Sequence, residues 1–134
     1  MLLGRTTKPL TGGAPTGQCM ILVPPDAQRT MNTLIGAGLS LNKTDIDADL
    51  VAGAQITYLE GYLFDPEQAK EAFRHAAKIA HDAGRKVALS LSDSFCVGRY
   101  REEFIDLIGD HVDIVFANED EMVALYKAKD LDEA

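Results

Sequence analysis

From residue 56 onward the chain alternates three times between a short apolar run and a helical stretch, and this alternation fixes the class of fold. Ile56-Thr57-Tyr58-Leu59 reads as a strand ending in Glu60-Gly61-Tyr62. Asp65 is a predicted N-cap with Pro66 at the first helical position. Ala69, Ala72, Phe73, Ala76, Ala80 and Ala83 then mark one helical face, closed by Gly84. Small residues on that face allow a helix to lie close to a sheet. Lys86 to Leu91 is the next strand, and Tyr100, Phe104, Leu107 and Ile108 mark a second amphipathic helix ending near Gly109. Val112 to Phe116 is the third strand, in which Ile114-Val115-Phe116 is apolar enough to be covered on both faces. A helix over Glu119–Lys127 follows, and no strand follows it. Such an order closes as a parallel sheet with right-handed crossovers, so all three strands end on one side. Glu60, Ser92-Asp93 and Asn118 collect along that edge, where open α/β sheets bind ligands.

The first part of the chain has a different texture. Residues 1 to 17 are rich in Gly, Pro and Thr, which is loop chemistry. Cys19 to Val23 reads as a strand, Pro24-Pro25-Asp26-Ala27 as a turn, and Arg29 to Ile35 as a second strand. Together they predict an antiparallel hairpin whose weak alternation leaves one face wet. Gly36-Ala37-Gly38 reads as a flexible end to this hairpin, and Asp45 to Val51 as a short capped helix. The expected division is a β segment over 1–40 and a partial α/β core over 41–134.

Composition narrows the function classes. With 46% hydrophobic residues in 134, the chain can bury a real core. A formal net charge of −8 argues against nucleic acid as a partner, because phosphate backbones are held by clustered Lys and Arg. It leaves room for a small phosphate ligand. No apolar run reaches spanning length, and Met1-Leu2-Leu3-Gly4-Arg5 does not open a signal peptide, so no membrane is expected. Cys19 and Cys96 lack zinc spacing and read as two buried thiols, which makes the cytoplasm the expected compartment. His75, His81 and His111 fall in a helix, a helix and a pre-strand position, without partners at metal-ligand spacing.

Asn118 stands where the last strand becomes a helix, with Glu121 three residues on. Free N–H groups at a helix N-terminus suit phosphate. The same tetrapeptide is also a variant of the capping box, which only satisfies orphan helix donors.

On these residues the sequence resembles the PfkB/ribokinase family of sugar and nucleoside kinases, most nearly its adenosine kinase-like branch. Pro15-Thr16-Gly17-Gln18-Cys19 is similar to the entry to that family's lid strands, and Gln28-Arg29-Thr30-Met31 to the place where a lid Arg approaches substrate. Tyr58-Leu59-Glu60-Gly61-Tyr62 resembles the strand end beside the sugar site, and Ser90 to Phe95 the strand-to-loop segment after it. Val112 to Glu121 matches the family's Asn-x-x-Glu motif together with its strand. The resemblance implies a ribokinase-like three-layer parallel sheet, here partial, with a small antiparallel β lid. It also implies ATP and Mg²⁺ as cofactors and a small sugar or nucleoside as partner. Asn118 and Glu121 would hold nucleotide phosphates and hydrated Mg²⁺, with Glu121 acting through water. Arg29 would steady the phosphoryl group, and Glu60 would lie near the sugar or the metal shell. Taken alone, Arg29 also reads as a solvated lid residue, Glu60 as a strand-end carboxylate and Asp93 as a loop former.

The departures from the family pattern shape the expectation of activity. Nothing corresponds to the family's N-terminal Gly-rich, Asn-containing substrate motif. Its C-terminal Gly-Ala-Gly-Asp motif, with the general base and anion hole, has no match either, for Gly36-Ala37-Gly38-Leu39 lacks the Asp and lies in the lid region. The chain therefore reads as the middle piece of a kinase, inactive alone, with sheet edges through which it would self-associate. The competing readings are a non-catalytic nucleotide- or metabolite-binding module of the same fold, and a structural piece in which Asn118 and Glu121 serve only as a cap.

Overall fold

The computed structural model describes residues 11–26 and 29–134. The expectations for residues 1–10, and for Ala27 and Gln28 at the hairpin turn, lie outside the described residues.

Two antiparallel strands, β1 (Thr16–Leu22) and β2 (Thr30–Gly36), form the hairpin, with Cys19 opposite Thr33 and Ile21 opposite Met31. β1 begins before Cys19, because the pairing runs back from Leu22 to Thr16, which faces Gly36. Gly36 is not a flexible end. Its φ is 64°, and a Cβ there would sit 2.2 Å from the Pro15 carbonyl oxygen, so only glycine fits this close approach. The Ala37 N–H donates to that same carbonyl at 2.8 Å, and a 3-10 turn over Ala37–Ser40 follows.

The second unit begins with α1 (Ala48–Gly53), capped by Asp47, whose carboxylate accepts the Leu50 N–H at 3.1 Å. Three parallel strands follow, β3 (Ile56–Glu60), β4 (Lys86–Ser90) and β5 (Ile114–Phe116), in the order β3-β4-β5. Helix α2 (Glu67–Asp82) crosses from β3 to β4. Helices α3 (Ser94–Arg99) and α4 (Arg101–His111) cross from β4 to β5, and α5 (Glu119–Tyr126) ends the series. The expected α/β class, with its parallel sheet and small antiparallel sheet, is thus the observed one.

Several local expectations give way to particular contacts. Asp65 does not cap α2. Pro66 occupies the cap position, and the Asp65 carboxylate instead accepts from Arg99 at 3.1 Å. Helix α2 ends at Asp82, so Ala83 falls on the exposed C-cap rather than the buried face. Helix α4 runs past Gly109 to His111, and β5 starts only at Ile114. Cys19 is exposed, because little in the described residues covers the hairpin, whereas Cys96 is buried. Burial, then the nearby Asp65 and Asp93 carboxylates, push the Cys96 thiol up to about 11, which keeps it protonated and inert.

The core lies between one face of the sheet and the helices. Leu59, Val87 and Leu89 meet the small face of α2, and Phe64, Phe73, Phe104 and Leu107 fill the space behind them. Lys70 is buried in the same layer. Its ammonium lies 2.6 Å from Glu103 and 4.3 Å from the centre of the Tyr100 ring, a paired and ring-faced charge. The opposite face of the sheet is open. Ile56, Tyr58 and Phe116 are exposed there, with the Tyr58 and Phe116 rings 6.2 Å apart, so the expected covering of both faces is absent among the described residues. Among those residues no helix is long and apolar enough to cross a membrane.

Asp113 ties the end of the sheet away from the strand C-termini. Its carboxylate accepts from the Val87 N–H at 2.8 Å and from Lys86 at 2.9 Å, and lies 3.0 Å from His81 Nε2. The Val87 N–H bond, then Lys86 and His81, hold this carboxyl well below the usual range. A depressed carboxylate pKa stabilises the fold in full above the unfolded value of about 4 and loses that contribution as pH falls through the folded value. Asp113→Asn is therefore expected to melt below the parent chain at pH 6–8. The gap should shrink only below about pH 4. A gap unchanged down to pH 2 in paired thermal melts would show that the charge of Asp113 is not what matters.

Candidate functional site

The three parallel strands end level. Glu60 pairs with Ser90 and Ser90 with Phe116, and the Leu91 N–H donates to the Phe116 carbonyl at 3.0 Å just beyond. The polar residues after each strand therefore sit along one edge, as the connectivity requires.

Glu60 ends β3 with both carboxylate oxygens engaged. Ser92 Oγ donates to Oε1 at very close range, and the Tyr58 hydroxyl donates to Oε2 at 3.1 Å. Asp93 caps α3 rather than merely forming a loop. Its Oδ1 accepts the Phe95 N–H at 2.7 Å and the Cys96 N–H at 2.9 Å. Asn118 caps α5, and here the capping box is complete. The Glu121 N–H donates to Asn118 Oδ1 at 2.9 Å, while Glu121 accepts from the Asn118 N–H at 3.0 Å and from its side-chain amide at 3.1 Å. Glu121 is only 6% exposed. The amide bonds and the first-turn N–H groups of α5 offset the cost of burying this carboxylate.

Tyr62 sits beside these groups, since its N–H donates to Ser92 Oγ at 3.2 Å. Its phenol pKa is raised by partial burial, then by the Asp93, Glu60 and Glu121 carboxylates, with Arg29 lowering it.

A cleft of about 600 Å³ opens between hairpin and core beside this edge. The hairpin gives it an apolar wall with Ile21, Met31 and Leu34, and the core supplies Tyr62, Asp93 and Arg99. An apolar pocket with a few convergent polar groups is the usual form of a small-molecule site. Ser92 is placed on this edge by the sequence but without a role, and Tyr62 and Phe95 are given none. Tyr62 follows the strand-end glycine directly, which was its available signal. Phe95, 81% exposed in the first turn of α3, was marked only by being aromatic beside the edge. Among the described residues, no three or more His, Cys, Asp or Glu gather in metal-binding geometry.

The parallel sheet with polar strand ends, a helix N-terminus at its mouth and a hairpin across a cleft define an α/β protein with the usual form of a ligand site at its strand ends. The chain belongs to the pfkB family of carbohydrate kinases, whose model it matches over residues 7–134. It is similar to the adenosine kinase of Sinorhizobium meliloti, at 53% identity and a TM-score of 0.90, over 95% of this chain and 39% of that one. A probable sugar kinase from Rhizobium etli CFN 42 gives 52% identity and a TM-score of 0.89, over 96% of this chain and 39% of that one. The guanosine-inosine kinase of Escherichia coli K12 is 31% identical over 114 residues, which span 83% of this chain but 26% of that protein. The chain thus spans well under half the length of these relatives.

Proposed function

We propose that this chain is the central segment of a longer kinase that moves the γ-phosphoryl group of ATP to a primary hydroxyl of a nucleoside or sugar. The observation that carries this reading is the cleft between an apolar hairpin wall and the core, lined by Tyr62 and Asp93 and lying beside the strand ends where Glu60 and Asn118 stand. Adenosine-like acceptors suit the cleft best, because Met31, Leu34 and Tyr62 offer a base apolar and aromatic surface while strand-end carboxylates offer hydroxyls acceptors. Residues 1–40 would act as the lid and 41–134 as part of the catalytic core.

Asn118 and Glu121 would serve the nucleotide phosphates and Mg²⁺. Each Glu121 oxygen accepts one bond from Asn118, which leaves lone pairs for water. That donor set fits a hydrated Mg²⁺, which keeps several of its waters. When bound, the ion offsets phosphate charge. Arg29 would neutralise charge spreading over the transferred group, and Glu60 would orient an acceptor hydroxyl. Positioning of this kind, with little covalent chemistry asked of the protein, is how phosphoryl transfer is ordinarily catalysed.

The complete capping box is equally compatible with a second reading, in which Asn118 and Glu121 only hold the start of α5. Glu121→Gln separates the two, since glutamine keeps an oxygen for the Asn118 N–H and loses the charge. In the longer kinase the Mg²⁺ concentration for half-maximal rate is expected to rise roughly tenfold or more, with acceptor KM little changed. An unaltered Mg²⁺ response with a lower melting temperature would favour the cap alone.

A further inference from the structure

Among the described residues only Ser92 and Lys127 depart from glycine at positive φ. Lys127, at 53°, closes α5 as left-handed residues commonly close helices. Ser92, at 72°, follows a strand and closes nothing. A serine is disfavoured in this region, and such a residue persists only where its surroundings hold it.

What holds it is a cross-link between two strand ends. Ser92 Oγ donates to Glu60 Oε1 and accepts the Tyr62 N–H at 3.2 Å. The backbones there touch as well, for a Cβ on Gly61 would lie 2.7 Å from the carbonyl oxygens of both Ser90 and Leu91. The turn carrying Tyr62 therefore rests directly on the turn carrying Ser92, with no side chain between them. Tyr58 donates to the other oxygen of Glu60 at 3.1 Å, so the carboxylate is fixed from two sides.

We infer that Ser92 is a positioning residue. Its left-handed backbone aims the hydroxyl so that one group orients the Glu60 carboxylate and anchors the Tyr62 turn beside the cleft. This rests on the reading of that cleft as the acceptor site. Glycine would adopt the same backbone without penalty, and the hydroxyl is what serine adds in return. The position thus trades local backbone comfort for a fixed strand-end geometry.

The test uses three substitutions that separate backbone from hydroxyl. In the longer kinase, Ser92→Gly and Ser92→Ala both lose the hydroxyl bonds, and Ser92→Gly, which fits the positive φ, is expected to melt above Ser92→Ala. Both should raise acceptor KM roughly tenfold, the usual scale for losing a hydrogen bond to a charged group, while ATP KM stays unchanged. Ser92→Asn, which tolerates positive φ and carries both a donor and an acceptor, should recover most of that loss. A Ser92→Gly enzyme with parental acceptor KM would overturn the inference. A second readout is independent of turnover: the ¹³C carboxyl resonance of Glu60 in this chain should shift in Ser92→Gly and Ser92→Ala. If the longer kinase phosphorylated neither nucleosides nor sugars, the acceptor reading would fall, and the Glu60 resonance would still decide the role of Ser92. An unmoved resonance in both variants would overturn that role.

Discussion

Supplied with ATP, Mg²⁺ and adenosine, the purified 134-residue chain is expected to transfer no phosphoryl group above background, while the longer kinase turns over. The reason lies in the carboxylates at the strand ends. A general base needs a lone pair directed at the acceptor hydroxyl. Glu60 accepts from Ser92 and Tyr58, Asp93 holds two N–H groups of α3 through Oδ1, and Glu121 accepts twice from Asn118. Each is fixed in place by these bonds, and the lone pairs that remain on Glu60 and Glu121 serve the binding roles proposed for them rather than proton abstraction. The resemblance to the family puts the base and anion hole on a Gly-Ala-Gly-Asp motif that these residues do not carry. Losing a single oxyanion donor typically costs roughly a hundredfold in rate or more, and here the base is lost with the set. The assay belongs on material shown to be monomeric, because Ile56, Tyr58 and Phe116 are exposed on one sheet face. Turnover near that of the longer kinase would mean the catalytic groups lie among these residues after all.

The parallel sheet was legible because its signals are local. Val87, Ala88 and Leu89 form a continuous apolar run, and every residue of it is buried. Ala69, Ala72, Phe73, Ala76 and Ala80 recur at helical spacing and all face inward. The hairpin was legible for the same reason, in its Pro-rich turn and weak alternation. What stayed hidden depends on partners distant in sequence. Lys70 carries no signal in its own stretch of the chain, yet it is buried against Glu103, 33 residues away. Asp65 reads as a cap until Arg99, 34 residues on, takes its carboxylate. Helix α3 escaped notice because six residues that include Gly98 are too few to show a period.

The candidate site divides along the same line. Which residues share the edge followed from connectivity, since parallel strands must all end on one side. How they engage did not follow. Glu60 and Ser92 lie 32 residues apart, and no spacing rule announces that a serine will turn left-handed to reach a glutamate. Asn118 and Glu121 were the reverse case. Their capping geometry was readable from four residues, and it is present in full. A cap and a phosphate site use the same helix N–H groups, so this geometry alone favours neither.

The largest loss of stability is expected from Phe64→Ala. Phe64 has no exposed surface. Its ring stacks on Phe104 at 4.5 Å and meets Phe73 at 5.8 Å and Tyr100, edge-on, at 6.1 Å. The ammonium of Lys70 sits 5.4 Å from its centre. Three elements thus converge on one side chain: α2 with Phe73 and Lys70, α4 with Phe104, and Tyr100 at the junction of α3 and α4. Truncating a buried Phe costs about 3–5 kcal/mol, against about 5–15 kcal/mol for a whole domain. The cost should lie toward the upper end, because Lys70 would border a cavity where it now meets a ring. A fall in melting temperature of roughly 10–20 °C is expected for a chain of this size. The site should feel it too. The Phe64 N–H closes the 3-10 turn onto the Gly61 carbonyl at 3.0 Å, and Tyr62 rides on that turn. Phe95→Ala is the control, since a ring 81% exposed contributes little to packing and should leave the melt within about 2 °C of the parent. Equal melting temperatures for Phe64→Ala and Phe95→Ala would show that the aromatic cluster is not where the core derives its strength.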